Sequence, residues 1–186
     1  MLGRCAMREC RRGLSRIPND GKTYLYYLGN ECVADSGGWG YFWHHNRFTN
    51  GFFERLDDCF YFGDNSSSFG NPLPFCLKFI DFTKYTRIGI DYEIPSAQAS
   101  SSYDAYFSMA LYSFMPVQGG GDGYVTPTKE IRLFELKSNT ASSKARSVES
   151  YDMSDINGEL SLALSDWSHA MGSHKITVKL YKLWLE

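Results

Sequence analysis

Residues 175–186, KITVKLYKLWLE, predict a long β-strand around which the rest of the chain is organised. In the first half of this stretch apolar residues alternate with polar ones, the period-two pattern of a strand with one buried and one solvated face. Leu183 and Leu185 fall on the opposite parity, which indicates either a bulge near Tyr181 and Lys182 or a final third that is apolar on both faces. A strand of this length needs neighbours on both sides and a second layer above it. We therefore expect a sandwich or a barrel.

The composition supports an all-β fold. The chain has 186 residues, of which 43% are hydrophobic and 16% aromatic, and this bias suits pleated, half-buried surfaces. Turn signals recur often enough to separate about nine or ten strands, the spacing of an antiparallel β-sandwich. We expect one β-sandwich domain over residues 21–186, preceded by an irregular arm over residues 1–20.

Residues 86–94, TRIGIDYEI, show the most regular strand pattern in the interior of the chain. Four apolar side chains share one parity here, from Ile88 to Ile94, and Pro95 is expected to end the strand. Residues 103–114 are expected to form the next strand and to pair with 86–94 in a hairpin. Further along, 130–137 is expected to be a strand and 138–147, SNTASSKARS, a polar loop.

The N-terminal arm differs in charge from the rest of the chain. The whole chain carries 19 basic and 21 acidic residues, and residues 1–20 hold five of the former and two of the latter. Three interpretations remain open: a solvated disordered arm, an arm that docks on an acidic neighbour, and nucleic-acid binding, which the net charge of -2 disfavours. The basic residues that would serve assembly are Arg4, Arg8, Arg11, Arg12 and Arg16.

Five Cys occur without a CxxC pair or a His at zinc-ligand spacing, so we expect free thiols in a reducing cytosol. The chain starts without the apolar run of a signal peptide, and no stretch approaches the length of a membrane span. We expect no cofactor.

Residues 39–48, WGYFWHHNRF, form the densest aromatic cluster in the sequence. Aromatic rings with polar edges stack on sugars, but rings on one strand parity also fit a buried core. Adjacent His44 and His45 would point to opposite faces of a strand, so we expect no metal site there. The glycine-rich stretch 118–127 lacks the lysine and helix of a phosphate loop. If a ligand site exists, its candidate residues are Tyr41, His44, Asn46, Arg47, Asp122 and Tyr124.

A catalytic function has weak support from the sequence. Asp91 and Glu93 share a strand face about 7 Å apart, within the range of glycosidase acid–base pairs. The same spacing is ordinary for solvent-facing charges on an amphipathic strand. No nucleophile motif is present, so we expect the protein not to be an enzyme.

Three stretches together resemble a known class of modules: YLYYLGNECVADSGGW (24–39), FTKYTRIGIDYEI (82–94), and DMSDINGELSLAL (152–164) followed by ITVKLYKLWLE (176–186). They are similar to jelly-roll, galactose-binding-like β-sandwich modules of structural or tail-associated proteins of tailed bacteriophages and prophages. No binding residue carries over, because the matching segments are patterns of strand and turn.

The resemblance implies a non-catalytic virion structural protein, tail-associated or capsid-decorating, made in the cytoplasm of the bacterial host. Its partners would be other virion proteins and further copies of itself, docked through the arm, without nucleic acid or membrane. The alternative is a carbohydrate- or receptor-binding module that attaches a phage or an enzyme to a glycan of the bacterial surface.

Overall fold

The computed structural model describes residues 17–32, 51–64, 75–102, 104–113, 127–165 and 175–186. These residues form eleven β-strands and one short 3₁₀ helix, Phe82–Lys84. The strands are β1 Thr23–Tyr27, β2 Asn30–Glu31, β3 Gly51–Arg55, β4 Phe60–Asp64, β5 Phe75–Asp81, β6 Arg87–Gln98, β7 Ala105–Tyr112, β8 Lys129–Leu136, β9 Ala141–Asp152, β10 Glu159–Ser165 and β11 Lys175–Leu185.

The strands lie in two antiparallel sheets that pack face to face, which confirms the predicted all-β sandwich. The larger sheet has seven strands, with β9, β6 and β11 side by side. The edge of β11 that faces away from β6 has two partners, because β4 pairs with its first half and β1 with its second half. Beyond these, β3 pairs with β4 and β2 pairs with β1. The smaller sheet has four strands in the order β5-β10-β7-β8.

Strand β11 has the central place that its sequence predicts. It pairs with β6 along one edge and with β4 and β1 along the other. The register between β11 and β6 shifts between Leu180 and Lys182, so the bulge, one of the two expected alternatives, is present. The bulge keeps Leu183 and Leu185 on the buried face despite their change of parity.

The main core lies between the two sheets. From β6 it receives Ile88, Ile90, Tyr92 and Ile94, all fully buried as the period-two pattern predicts. The ring of Phe107 on β7 lies 5.8 Å from that of Tyr92 and 6.3 Å from that of Phe62, so aromatic packing joins the sheets.

Two expectations for β6 are wrong. The strand continues through Pro95 to Gln98, because its register with β9 shifts between Ile94 and Ala97 and a proline without an N–H is tolerated at such an irregularity. It also forms no hairpin with β7, which belongs to the smaller sheet. The two strands instead face each other across the core.

The predicted polar loop 138–147 is also wrong beyond its first residues. Only residues 137–140 connect β8 to β9, and β9 then runs for twelve residues along the edge of the larger sheet. An edge strand with solvent on much of its surface needs little apolar patterning, so its polar composition resembles that of a loop.

Strand β1 carries a bulge that the sequence did not indicate. Its register with β11 shifts between Tyr24 and Tyr26, so Tyr24 and Tyr27 share the outer face although their parities differ. A tight turn follows it, with positive φ at Leu28 and Gly29 as a hairpin turn into β2 requires.

Candidate functional site

The outer face of the larger sheet, turned away from the smaller sheet, arranges its side chains in rows that cross the strands. Directly paired residues in neighbouring strands point to the same side of a sheet. One row consists of Glu54, Tyr61, Lys179 and Glu93. The next row consists of Tyr27, Lys182, Asp91 and Val148. The third row consists of Tyr24, Trp184, Gly89 and Ser150.

The bulge in β11 places Tyr181 on this face as well. Its hydroxyl donates a hydrogen bond of 2.9 Å to Oε2 of Glu93, and the guanidinium carbon of Arg146 lies 3.7 Å from its ring centroid. Burial, followed by the bond to Glu93, raises the pKa of Tyr181, so the hydroxyl stays protonated.

Arg146 on β9 forms a bidentate ion pair with Asp91 on β6. Its Nε and Nη2 each donate a 2.8 Å hydrogen bond to one carboxylate oxygen, and these bonds raise the pKa of Arg146. The Asp91 side chain is 4% exposed, whereas that of Arg146 is 45% exposed. The pair therefore fixes a buried carboxylate and leaves part of the guanidinium, including Nη1, outside the pair.

We call Asp91, Glu93, Arg146, Lys179 and Tyr181 the outer cluster. Lys179 completes it, with its Nζ 3.8 Å from Oε2 of Glu93. Beside it, the ammonium of Lys182 lies 5.1 Å from the ring of Tyr27 and forms no salt bridge within the described part of the chain. In the outer cluster, two pairs of one carboxylate and one cation thus lie beside Tyr181: Asp91 with Arg146, and Glu93 with Lys179.

A separate aromatic group lies at the end of the same face. The indole of Trp184 covers Gly89 so closely that a Cβ at that position would lie 2.1 Å from the ring. The indole Nε1 donates to Glu186 at 2.6 Å, and the ammonium of Lys22 lies 4.5 Å above the ring. Trp184 and the neighbouring Tyr24 and Tyr27 are at most 8% exposed, so this group is a small second core.

A second polar cluster lies on the opposite face of β6 and β9, between the sheets. We call Tyr92, Lys144, Ser147, Glu149 and Tyr151 the inner cluster. Its contacts reach the smaller sheet, because Tyr92 donates to the carbonyl oxygen of Leu133 at 2.6 Å and Lys144 donates to the same oxygen at 3.0 Å.

Glu149 accepts most of the hydrogen bonds within the inner cluster. Lys144 donates to it at 2.6 Å and Ser147 at 2.9 Å, and Tyr151 also donates to it. Burial would raise the pKa of Glu149, but the hydrogen bonds from these three residues outweigh it and the pKa is lowered. The carboxylate is therefore held ionised at the edge of the core.

The carboxylates that could suggest catalysis are both engaged. Asp91 is held by Arg146, and Glu93 accepts from Tyr181 and faces Lys179. The expectation that both point to solvent is wrong for Asp91, because the bidentate pair buries it. Asp91 therefore lacks the access to the proton of a substrate that a general acid or base requires.

The site residues proposed from the sequence lie outside the described residues: Tyr41, His44, Asn46, Arg47, Asp122 and Tyr124, with Arg4, Arg8, Arg11, Arg12 and Arg16 of the arm. Sequence reasoning missed Arg146, because it placed residues 138–147 in a loop. The alternation of Lys144, Arg146 and Val148 with small residues was the signal that could have revealed an edge strand.

Other kinds of site find no support within the described ranges. There, no group of three or more His, Cys, Asp or Glu side chains could hold a metal ion, and no helix is long and apolar enough to cross a membrane. Cys59 is a buried thiol, and burial raises its pKa to about 11. A thiol with a raised pKa is a poor nucleophile at neutral pH.

Comparison with known proteins adds little. No family model matches the chain, and no curated protein matches it. A solved structure titled "CBM4 structure and function" aligns with a TM-score of 0.29 and 7% sequence identity, over 76% of this chain and 81% of that chain. A likeness at this TM-score carries no argument about function.

Proposed function

We propose that the chain is a non-catalytic carbohydrate-binding module that holds a glycan on the outer face of the larger sheet, at the outer cluster. The observation that carries this proposal is the alternation of cationic donors with carboxylate acceptors around Tyr181. Each sugar hydroxyl can donate one hydrogen bond and accept others, so it can bridge a carboxylate and a neighbouring cation.

The geometry of the sheet favours an extended oligosaccharide over a single sugar. The polar rows cross the strands β4, β11, β6 and β9, with neighbouring strands about 4.8 Å apart. The partly exposed ring of Tyr61 lies in the same row as Lys179 and Glu93 and offers a surface for the apolar face of a sugar.

The balance of charge in the outer cluster favours a neutral glycan. Its two cations, Arg146 and Lys179, face two carboxylates, Asp91 and Glu93. An anionic sugar would meet the carboxylates as well as the cations, whereas hydroxyl groups can use both without adding charge.

Isothermal titration calorimetry with neutral and acidic bacterial surface glycans tests the proposal on the full chain. Arg146→Lys should weaken binding about tenfold, because lysine keeps the charge but loses the bidentate, stacked geometry. Arg132→Lys is the matched control, since Arg132 is 46% exposed and stacks 4.3 Å from Tyr106 on the smaller sheet. The control should bind like the wild type.

Two results would contradict the proposal. One is the absence of binding to any glycan in the panel. The other is equal weakening by Arg146→Lys and Arg132→Lys, which would place the binding surface elsewhere.

The virion structural role is a second proposal, supported by the resemblance of the strand and turn patterns and by the long edge strand β9, which offers a contact for assembly. It places the protein in a phage particle assembled in the bacterial cytoplasm. Deletion of residues 1–18 should leave the sandwich folded but prevent its incorporation into a larger assembly. An unfolded truncated protein, or one that still assembles at high salt, would contradict this role for the arm.

A further inference from the structure

We propose that two copies of the chain associate through β9, edge to edge and antiparallel, about a two-fold axis at Val148. The larger sheet of one copy and the larger sheet of the other would then form one continuous sheet. This inference goes beyond glycan binding and does not depend on it.

Strand β9 offers an edge of sufficient length. It pairs with β6 along one side, and none of the described strands pairs with its other side. Such an edge presents N–H and C=O groups to any chain that approaches it. From Ser147 to Asp152 the pairing with β6 is free of register shifts, so this half of the edge is regular. The shifts lie in the other half, on the side of Lys144.

An exposed apolar side chain marks the middle of this edge. Val148 is 67% exposed, compared with 48% for Ile17 and 39% for Leu56, the other exposed large hydrophobic residues of the described ranges. A valine in a strand favours pairing, and a two-fold axis at this residue would cover it with the valine of the second copy.

The charges on β9 favour a second copy as the occupant. On the outer face of β9, Arg146 lies in the first half and Asp152 in the second half. Lys144 and Glu149 lie between the sheets and pair with each other. An antiparallel copy reverses the order, so Arg146 of one strand approaches Asp152 of the other. Charge complementarity of this kind is a property of self-pairing.

The pleat restricts the register. Residues paired across the axis must point to the same side of the joined sheet, so the axis must pass midway between the two copies of one residue.

An axis at Val148 places Arg146 opposite the partner's Ser150 and diagonal to the partner's Asp152. An axis at Ser147 would place two Arg146 side chains diagonal to each other, and an axis at Glu149 would place two Glu149 side chains directly opposite. With the axis at Val148, Glu149 faces the partner's Ser147, and its charge is already paired with Lys144.

One consequence is that the partner extends the candidate site. The outer faces of both sheets would become continuous, with an Arg146 on each side of the junction. Two outer clusters on one surface would bind a repeating polymer more tightly than one, because the second contact becomes intramolecular.

Sedimentation equilibrium of the full chain at increasing concentration tests the association. The wild type should be dimeric, and Ser150→Lys should raise the dimer Kd about tenfold, because two-fold symmetry places like charges opposite each other twice. Ser150→Glu should lower the Kd, because a carboxylate would then face the partner's Arg146. Arg87 of the same chain donates to Oγ of Ser150 at 3.0 Å and to its carbonyl oxygen at 3.3 Å, so the Tm of both variants is measured to separate this intrachain effect. Opposite shifts of the Kd that do not follow the shifts of the Tm distinguish pairing from a change in folding.

Leu56→Lys is the control, since Leu56 is exposed but lies outside β9. It should leave the Kd unchanged, and circular dichroism should show that all variants are folded. A wild-type chain that stays monomeric at millimolar concentration would overturn the proposal. Equal effects of Ser150→Lys and Ser150→Glu, or loss of the dimer in Leu56→Lys, would also overturn it.

Discussion

The outer and inner clusters are built from the same kinds of groups on neighbouring strands of the larger sheet, yet they occupy different environments. Each has a tyrosine ring with a cation above it, at 3.7 Å for Arg146 and 4.6 Å for Lys144. Each also has a carboxylate from β6 or β9 that accepts hydrogen bonds from that cation, Asp91 in one and Glu149 in the other. Only the inner cluster faces the second sheet.

The difference lies in what completes each cluster. The inner cluster uses the carbonyl oxygen of Leu133 from the smaller sheet, so it ties the two sheets together. The outer cluster is completed within the larger sheet and keeps Arg146 close to half exposed. The same chemistry therefore ties the two sheets together on one face and leaves a half-exposed guanidinium on the other.

The largest loss of stability is expected from an unpaired charge on the inner face of β6. Ile90→Asp should abolish folding, because Ile90 is fully buried and pairs directly with Glu149, so the new carboxylate would meet a like charge. The cost of several kcal/mol approaches the whole stability of a domain. Thermal unfolding followed by circular dichroism measures it, with Ile90→Val as the control at about 1 kcal/mol. A soluble Ile90→Asp protein with an unchanged Tm would show that the faces of β6 are reversed.

A smaller effect on the free energy of unfolding should distinguish the two clusters directly. Lys144→Met removes the cation from a partly buried network that links the two sheets, and should lower the free energy of unfolding by about 1–3 kcal/mol. Lys179→Met in the outer cluster should cost about 0–1 kcal/mol, although the two lysines are similarly exposed, at 28% and 32%. Urea unfolding of both variants provides the comparison. If the two costs are equal, the distinction between a structural and an accessible cluster fails.

The smallest expected effect concerns pH. The pKa of Glu149 is lowered in the folded protein, so its contribution to stability is complete above the pKa of an unfolded glutamate, about 4.3, and is lost as the pH falls through the lower folded value. The difference in Tm between the wild type and Glu149→Gln should therefore narrow as the pH falls through this range. In a Lys144→Met background, the difference in Tm caused by Glu149→Gln should depend less on pH. A difference that stays constant with pH in the wild-type background would argue against the inner cluster as its source.

The sequence predicts those parts of the fold in which one strand alone carries the signal. The central place of β11, its bulge and the buried face of β6 all follow from local alternation of apolar and polar residues. Strand β9 escaped prediction because an edge strand can be polar on both faces. The hairpin predicted for β6 and β7 failed because local patterns do not determine which sheet a strand joins.

The outer cluster could not be predicted for a related reason. Asp91 and Arg146 are 55 residues apart in the chain, and their contact depends on the register between β6 and β9. That register contains shifts, including one between Tyr92 and Ile94, which no periodicity reveals. The unusual composition of residues 39–48 and 118–127 indicates candidate sites in the sequence. Arg146 has no such signal and is identified by its contacts with Asp91 and Tyr181 in the folded chain.

The pairing of β1 with β11 has a mechanical consequence. Thr23 and Leu185 are direct partners, so the first residue of one strand and the last residue of the other lie side by side. A pulling force applied at these two residues would load the hydrogen bonds of the pair one after another, as in opening a zipper, and not all together as in shear. The sandwich should therefore resist such a force weakly and peel from this corner first, leaving β11 still held by β6 and β4.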